Sequence, residues 1–443
     1  MTVNAGAFKQ FQDAVRTLGR QARPVDLSGE EQLARATSVF MRKIDAPMAV
    51  DLESCIHCGH CADACHFQVG TGDPQYTPMR KMELLRRFYR RELAPQRWLY
   101  RLFVKEVTLE DLQEWQPLVY DSCTECGRCG MVCPMGIDIA RIVNVMRQAM
   151  AEAGLIPDEL RAVEHQQTEG SLFGVGSEQM QGAAARLAEM GLEVPIDKER
   201  ADILVLSTVV DIMMFNDALI NTIRIMNHTG LDWTFRSSGF EAANFGFLTG
   251  DEELQRLAAE RIIREAITIG AKTVIVPECG HAYPALRWEG ANVHGAPLPF
   301  EVLAISEFIG REIESGRIRL KKGLDGRRIT YHDPCKIARH GGVVDEPRTA
   351  LKALGADYRE MDSPGVMNWC CGGGAGVFLL NDAAPLRQRA FEIKMKQVEE
   401  TGAEAVVLTC GSCRANFLNG AQQAKWETPI ESLVELVGAN LAE

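Results

Sequence analysis

The sequence predicts an α+β multidomain protein, in which a helical N-terminal domain precedes two α/β, Rossmann-like subdomains. Two observations indicate the helical domain: apolar residues recur at helical spacing, and two runs of four cysteines share one spacing. A third indicates the subdomains, because from Asp202 onward short β-branched segments alternate with amphipathic helices. At 443 residues the chain is long enough for two or three domains.

Composition and charge exclude several classes of protein. The net charge of −12 argues against nucleic-acid binding as the main task. No apolar run reaches the ~18 residues that a membrane helix needs, and the N-terminus has no apolar signal-peptide core. Fourteen cysteines in such a chain indicate metal binding in a reducing compartment. We therefore expect a cytoplasmic protein with no nucleic-acid partner and no membrane span of its own.

Residues 1–47 are expected to be helical, because Phe8, Phe11, Val15 and Leu18 recur at helical spacing. Such a segment either packs on its own domain or serves as a docking arm for a partner.

The N-terminal domain contains two cysteine runs with the spacing C-x2-C-x2-C-x3-C. They consist of Cys55, Cys58, Cys61 and Cys65, and of Cys123, Cys126, Cys129 and Cys133. This spacing is typical of bacterial ferredoxin segments that bind [4Fe-4S] clusters, in which the fourth cysteine of each run serves the other cluster. We therefore expect two cubane clusters, with the ligand sets Cys55, Cys58, Cys61, Cys133 and Cys123, Cys126, Cys129, Cys65.

The first run departs from the ferredoxin pattern after its fourth cysteine. Pro134 follows Cys133, but His66 follows Cys65. This histidine is either a titratable group beside one cluster or a surface residue at a helix start.

The insertion between the runs is strongly basic. The pattern from Arg80 to Lys105 predicts a helix broken at Pro95. A basic face of this kind is either solvated or a docking surface for an acidic partner or for membrane headgroups.

Composition divides the chain into four parts. The helix Ile137–Ala153 completes a helical domain at 1–165, and glycine-rich punctuation predicts a linker at 166–199 with a short helix over Ala183–Met190. The two α/β subdomains are expected at 200–322 and 323–443.

The α/β part predicts four strands with cysteines or serines just beyond them. The predicted strands are Ile203–Leu206, Val274–Val276, Ile329–Tyr331 and Ala405–Leu408, and predicted helices cover Leu254–Ile267 and Leu386–Glu399. Because open α/β sheets place their ligands at the carboxyl ends of strands, these positions indicate a binding site.

Five cysteines follow the last two predicted strands: Cys335, Cys370, Cys371, Cys410 and Cys413. Their odd number and the vicinal pair disfavour disulfides, whereas iron–sulfur chemistry selects thiolates. The order C, C-C-G, C-x-x-C resembles the CCG domain. That domain occurs in heterodisulfide reductase catalytic subunits and in the K subunit of the sulfite-reduction membrane complex. It also occurs in iron–sulfur subunits of glycolate, lactate and glycerol-3-phosphate dehydrogenases.

The resemblance implies that the five cysteines hold a noncubane [4Fe-4S] cluster that works on disulfides. Electrons would arrive one at a time through the two cubane clusters. Among the residues flanking Cys335, His332 and His340 are expected to handle protons or bind an anion near the substrate, although a structural role stays open for each.

The first α/β subdomain is expected to be a degenerate copy of the second. Cys279-Gly280-His281 echoes Cys410-Gly411-Ser412, Ser237-Ser238-Gly239 echoes Cys370-Cys371-Gly372, and Ser207 echoes Cys335. Since four of five thiols are missing, no full cluster is expected there. Cys279 is either an accessory thiol or a packing residue.

Two enzymatic functions compete, and a non-enzymatic assembly or redox-sensing module is a third alternative. The first is an oxidoreductase subunit that exchanges electrons between a membrane cytochrome b or quinone-reactive subunit, or a flavoprotein, and a thiol/disulfide substrate such as a small sulfur-carrier protein. The second is an electron-relay subunit of a flavin-dependent 2-hydroxyacid or glycerol-3-phosphate dehydrogenase. Either would lie in the cytoplasm, peripherally at the inner face of the membrane.

Gly372-Gly373-Gly374 suits close approach of the backbone to a cluster. No flavin or nucleotide site is expected in this chain.

Overall fold

The computed structural model describes residues 5–20, 22–170 and 172–442, without the side chains of residues 5–12. Phe8 and Phe11 therefore lie outside the described side chains. The predicted α+β organisation is confirmed, because the described residues before 170 form helices and two parallel sheets follow them.

The N-terminal part is a bundle of helices around one central helix. The helices are α1 (Ala5–Arg20), α2 (Gly29–Lys43), α3 (Ala46–Ser54), α4 (His60–Asp63), α5 (His66–Thr71), α6 (Pro78–Glu92), α7 (Arg97–Tyr100), α8 (Leu109–Tyr120), α9 (Arg128–Met131), α10 (Ile139–Glu152) and α11 (Asp158–Glu169). Helix α10 packs against α2, α6 and α8, and its buried face carries most of its apolar residues. Helix α1 packs on α11, and the apolar Val15 is buried.

The basic segment differs from its prediction. It forms α6 and the short α7, with Pro95 between them as expected. The solvated basic face holds for only part of this segment, because Lys81 and Arg86 are buried, whereas Arg97, Arg101 and Lys105 are exposed. Arg80 lies over the ring of Trp115, with 4.2 Å from its guanidinium carbon to the ring centroid.

The first sheet is parallel and has the strand order β2-β1-β3-β4. The linker helix and the elements of this half are α12 (Ser177–Glu189), β1 (Ile203–Val205), α13 (Val209–Met213), α14 (Asn216–Thr229), β2 (Trp233–Thr234), α15 (Phe245–Thr249), α16 (Glu252–Thr268), β3 (Thr273–Val276), α17 (Ala282–Arg287), α18 (Gly290–His294), β4 (Glu301–Ala304) and α19 (Ile305–Glu314).

The second sheet repeats this topology in the order β6-β5-β7-β8, also parallel. Its elements are β5 (Arg328–Tyr331), α20 (Cys335–Ala338), α21 (Asp345–Ala353), β6 (Asp357–Tyr358), α22 (Ala384–Thr401), β7 (Ala405–Leu408), α23 (Gly411–Ala424), β8 (Ile430–Ser432) and α24 (Leu433–Ala439). In both sheets the first strand pairs with the second and the third, so the order of strands supports the internal repeat.

Two details of the connector differ from the sequence prediction. The predicted helix over Ala183–Met190 begins earlier, as α12, because the Gln179 side chain accepts a hydrogen bond from the Gly176 N–H at its start. Helix α11 continues to Glu169 and so crosses the boundary expected at residue 165.

The helical bundle and the two α/β halves pack directly on one another. The halves meet through α19 on α21 and α14 on α24, and α5 of the bundle packs on α22. Glu278, beyond β3, accepts hydrogen bonds at its carboxylate from Ser432 Oγ over 2.8 and 2.9 Å. The carboxyl ends of β3 and β8 are therefore neighbours.

Gly250 lies at a close contact between the bundle and the first half. It ends α15 with φ of 92°, and a Cβ there would lie 2.5 Å from the backbone of Arg147 and Gln148 in α10. Left-handed backbone and backbone contact both favour glycine at this position.

We expect Gly250→Ala to lower the midpoint of urea unfolding clearly more than Gly191→Ala. Gly191 also has positive φ, 86°, but nothing lies within 4 Å of the point that a Cβ would occupy there, so it isolates the cost of the left-handed backbone, about 1–2 kcal/mol. The contact with α10 should add about 1–3 kcal/mol. Equal midpoints for the two variants, measured by circular dichroism, would contradict this packing.

Candidate iron–sulfur centres

The two cysteine runs adopt the same backbone conformation. In each, the residue before the second cysteine and the glycine after it have positive φ: 55° and 88° at His57 and Gly59, 48° and 77° at Glu125 and Gly127. Such alternation curls the chain so that successive amides and side chains point toward one centre. The sequence analysis predicted the spacing but not these left-handed residues.

The structure brings Cys133 to the first three cysteines of the first run. Burial, together with the nearby Cys55, Cys133 and Cys58, raises the pKa of the Cys61 thiol to about 11. Thiols in such a place stay protonated unless a metal ion holds them as thiolates.

Cys65 lies with the first three cysteines of the second run. Cys65, Cys123, Cys126 and Cys129 line one cavity, together with the buried Lys81. Lys81 Nζ is 3.8 Å from Cys65 Sγ and also donates a hydrogen bond to the Ser122 carbonyl. The fourth cysteine of each run therefore lies with the other run.

The five C-terminal cysteines meet at the carboxyl ends of β5 and β7. All five are buried, none more than 7% exposed: Cys335, Cys370, Cys371, Cys410 and Cys413. Cys371 Sγ and Cys413 Sγ are 3.2 Å apart. Gly372, at φ of 91°, allows the vicinal pair to approach α22, because a Cβ there would lie 2.5 Å from Ala390 Cβ.

The second cysteine run touches this five-cysteine site. Sulfur and nitrogen atoms of His66, Cys126 and Cys370 lie within 4.8 Å of one another, and Thr124 Oγ1 is 3.3 Å from Cys370 Sγ. The Arg339 guanidinium donates to the Cys126 carbonyl over 2.7 Å and also to carbonyls of the loop before Cys370. The two groups of thiols are therefore contiguous.

The histidines differ in what they contact. His332 is fully buried against the thiols of Cys371 and Cys413, and neither ring nitrogen has a hydrogen-bond partner among the described residues. Burial lowers its pKa. His66 starts α5 but is buried, so its interpretation as a surface residue is wrong.

His340 is the second histidine proposed from the sequence. Its Nε2 lies 3.1 Å from the carbonyl oxygen of Cys126, and burial lowers its pKa to about 4. It therefore contacts the backbone of the second cysteine run.

Two buried cations near the thiols were not predicted from the sequence. Lys394 donates to Gln397 Oε1 over 2.7 Å, and burial lowers its pKa to about 8, although nearby thiols oppose that shift. Arg147 is completely buried and donates to backbone carbonyls of Cys123, Ala375 and Val119 over 2.7–2.9 Å. Both lie on amphipathic helices, where a cation usually faces water.

In the first half, the serines that correspond to cysteines are engaged elsewhere. Ser237 donates to Asp197 from both its N–H and its hydroxyl, over 2.8 Å each. Cys279 is partly exposed and lies near Cys410, and burial raises its pKa.

The donor set fits iron–sulfur clusters. The thiols occur in three groups, of which the five C-terminal thiols are all buried, and His332 is an orphaned buried polar side chain beside those five. Soft thiolates at such sites select iron–sulfur clusters or zinc, and the ferredoxin spacing favours the clusters.

Comparisons with known proteins agree with this geometry. Residues 54–138 match the family described as a 4Fe-4S dicluster domain, and residues 329–418 match the CCG family, described as a cysteine-rich domain. Iron–sulfur subunit 2 of an Hdr-like menaquinol oxidoreductase from Archaeoglobus fulgidus is 28% identical, over 87% of this chain and 79% of that protein.

Two further relatives have related names. One subunit of the dihydromethanophenazine:CoB–CoM heterodisulfide reductase from Methanosarcina barkeri is 27% identical, over 92% of this chain and 98% of that protein. The EtfAB:quinone oxidoreductase from Syntrophomonas wolfei is 26% identical, over 85% of this chain and 56% of that protein. The resemblance proposed from the cysteine pattern is confirmed: this chain, with a 4Fe-4S dicluster domain and a CCG domain, is a homologue of heterodisulfide reductase-like iron–sulfur subunits.

Proposed function

We propose that this chain is an iron–sulfur oxidoreductase subunit of a heterodisulfide-reductase-like complex. It exchanges electrons between a redox partner subunit and a thiol/disulfide substrate at the five-cysteine site. The contact of Cys126 with Cys370 carries this proposal, because it joins the second ferredoxin-type run to the site without intervening protein.

The proposed ligand sets follow the grouping of the thiols. They are Cys55, Cys58, Cys61 and Cys133 for one cubane cluster, Cys65, Cys123, Cys126 and Cys129 for a second, and Cys335, Cys370, Cys371, Cys410 and Cys413 for a noncubane cluster. Bound clusters would supply one-electron transfer and, at the last set, an iron site that binds sulfur.

The surrounding residues exclude water and balance charge. The five thiols are buried, and negative charge on buried thiolates is costly unless cations lie nearby. Lys394 is one of the cations that offset this charge. His332 presents its ring nitrogens to Cys371 and Cys413, where an imidazole can hold or release the proton of a substrate thiol.

A second function is an electron relay for a flavoprotein, as in a flavin-dependent 2-hydroxyacid or glycerol-3-phosphate dehydrogenase. The similarity to the EtfAB:quinone oxidoreductase favours it. In that case the five-cysteine site passes electrons and binds no substrate sulfur.

The partner is proposed to lie at a membrane, against an exposed apolar turn after α6. Trp98, Leu99, Leu102 and Phe103 are 41–80% exposed, and residues 90–106 contain five basic and two acidic side chains. Aromatic and aliphatic side chains among arginines suit a membrane subunit at the level of lipid headgroups. Among the described residues, no helix has the length and apolar composition that a bilayer crossing requires.

Thiol binding distinguishes the two functions. We expect 3-mercaptopropionate or its neutral analogue 3-mercaptopropanamide to produce a new EPR signal in the oxidised, anaerobically purified protein. Cys371→Ser should abolish that signal, whereas Cys279→Ala, outside the proposed ligand set, should keep it. No signal with either thiol, while both cubane clusters reduce normally, would support the relay function instead.

Iron content tests whether the fourth cysteine of each run binds the cluster of the other run. Cys55→Ala/Cys58→Ala should lose about four irons per chain, since it removes two ligands of one cubane cluster. Adding Cys133→Ala should lower the iron content no further, whereas adding Cys65→Ala should remove about four more irons per chain. The reverse result would mean that each run binds its own cluster.

The exposed turn is tested by fractionation of native membranes. We expect Trp98→Ser/Phe103→Ser to move most of the protein from the membrane pellet to the supernatant, because it removes two exposed aromatic side chains. Trp288→Ser is the matched control, since Trp288 is also exposed, at 49%, but lies in the first α/β half. An unchanged pellet fraction in the double variant would rule out this surface.

A further inference from the structure

His66 stands where the ferredoxin pattern has proline, and it lies between two groups of thiols. The equivalent residue after the second run is Pro134, which is exposed and has no side-chain donor. His66 is only 3% exposed, and one of its ring nitrogens lies within 4.8 Å of the sulfur atoms of both Cys126 and Cys370. Cys126 is a proposed ligand of the second cubane cluster, and Cys370 belongs to the five-cysteine site.

The imidazole of His66 has an unused hydrogen-bonding atom. Its Nε2 is buried and has no hydrogen-bond partner among the described residues. Burying a polar group without a partner is costly. A cysteine that binds a metal is a thiolate, and a charged acceptor forms a stronger hydrogen bond than a neutral one. Cluster binding at Cys126 would therefore provide the partner that the imidazole lacks.

The two sulfur atoms beside His66 need a donor between them. Cys126 Sγ and Cys370 Sγ lie within 4.8 Å of each other, and two thiolates at that distance repel. The Thr124 hydroxyl serves one of them, since its Oγ1 is 3.3 Å from Cys370 Sγ. Arg339 donates to the carbonyl of Cys126, not to its sulfur. The ring of His66 is placed to donate to Cys126 Sγ.

The local backbone holds the ring in this position. Cys65 is extended, with φ of −91° and ψ of 115°, and His66 is the first residue of α5. The imidazole packs on Phe67, with 4.1 Å between the ring centroids. Because α5 packs on α22, the imidazole is buried where the bundle meets the second α/β half.

We propose that His66 donates a hydrogen bond to the thiolate of Cys126 and thereby raises the reduction potential of the second cubane cluster. The inference rests on the proposed function, because it assigns a positioning residue to the same electron path. Hydrogen bonds to the sulfur ligands help to set the potential of an iron–sulfur cluster. A donor stabilises the more negative, reduced state, so that electrons collect beside the five-cysteine site. Pro134 supplies no such donor to the first cubane cluster.

A redox titration followed by EPR tests this role, with the first cubane cluster as an internal control. His66→Leu, which keeps an apolar side chain but no donor, should shift the equilibrium of one electron between the cubane clusters about tenfold toward the first. That shift corresponds to a potential of the second cluster that is lower by ~59 mV. The Cys55→Ala/Cys58→Ala protein, which keeps the second cluster, identifies the potential that belongs to it.

Three other variants separate donation from packing. His66→Gln should retain most of the wild-type potential, because its amide can still donate. His66→Pro should lower the potential as His66→Leu does, and proline suits the first position of a helix after an extended residue. His60→Leu is the matched control, since His60 also lies beside a run cysteine but is exposed, and it should leave the second cluster unchanged.

Wild-type protein provides a test that does not depend on folding of the variants. Pulsed EPR of reduced protein that carries ¹⁵N-labelled histidine should show a weak nitrogen coupling to the second cubane cluster. His66→Leu should remove this coupling. Its absence from the wild-type protein overturns the inference.

The remaining outcomes distinguish this inference from the proposed function. Unchanged potentials in both His66→Leu and His66→Pro, with the thiol-induced EPR signal intact, overturn the inference and leave the proposed function standing. A potential in His66→Gln as low as in His66→Leu also overturns it, because the ring then acts by packing alone. If wild-type protein gives no thiol-induced signal, the proposed disulfide chemistry fails, and the potential of the second cluster still decides the role of His66.

Discussion

One buried guanidinium, that of Arg147, connects the three parts of the molecule. Arg147 lies on α10 in the helical bundle, and its guanidinium donates a hydrogen bond to the carbonyl of Cys123, at the start of the second cysteine run. It also donates to Leu248 in the first α/β half and to Ala375 in the loop after Cys371. Because the donors of a guanidinium lie in one rigid plane, these segments are held at fixed positions relative to one another. The contact between Cys126 and Cys370 depends on that arrangement.

Other arginines also hold backbone segments in place around the thiols. Arg339 and Arg128 both donate to backbone carbonyls of residues 366–368, just before the vicinal cysteines, and Arg128 also lies over the ring of Trp369. A chain with a net charge of −12 therefore places cations around its sulfur atoms. Cations of this kind orient loops and offset thiolate charge, as the outer residues of metal sites commonly do.

Much of the fold could be predicted from local patterns. The cysteine spacing indicated which thiols would group, and β-branched segments indicated β1, β3, β5 and β7. Strands β2 and β6 were missed because each has two residues and is defined only by pairing with its neighbour. Strands β4 and β8 were also missed, and each runs directly into the helix that follows it, α19 or α24. Helix α12 was predicted six residues late, since its start depends on a hydrogen bond from the Gly176 backbone to Gln179.

The site was predicted less completely, because its electrostatics come from distant parts of the chain. The periodicity of α10 and α22 gives no sign that Arg147 and Lys394 are buried. The burial of His66 depends on the second run and on the loop of Cys370, far along the sequence.

The repeated topology of the two sheets has a consequence for how such a molecule can diversify. The first copy has Ser207, Ser237 and Ser238 where the second has cysteines, and it keeps Cys279. It packs on the second copy through α19 on α21 and α14 on α24. The clustered thiols thus belong to one copy, and the other copy supports it through this packing. Substitutions in the first copy can therefore change the surroundings of the second copy without removing any of its five thiols.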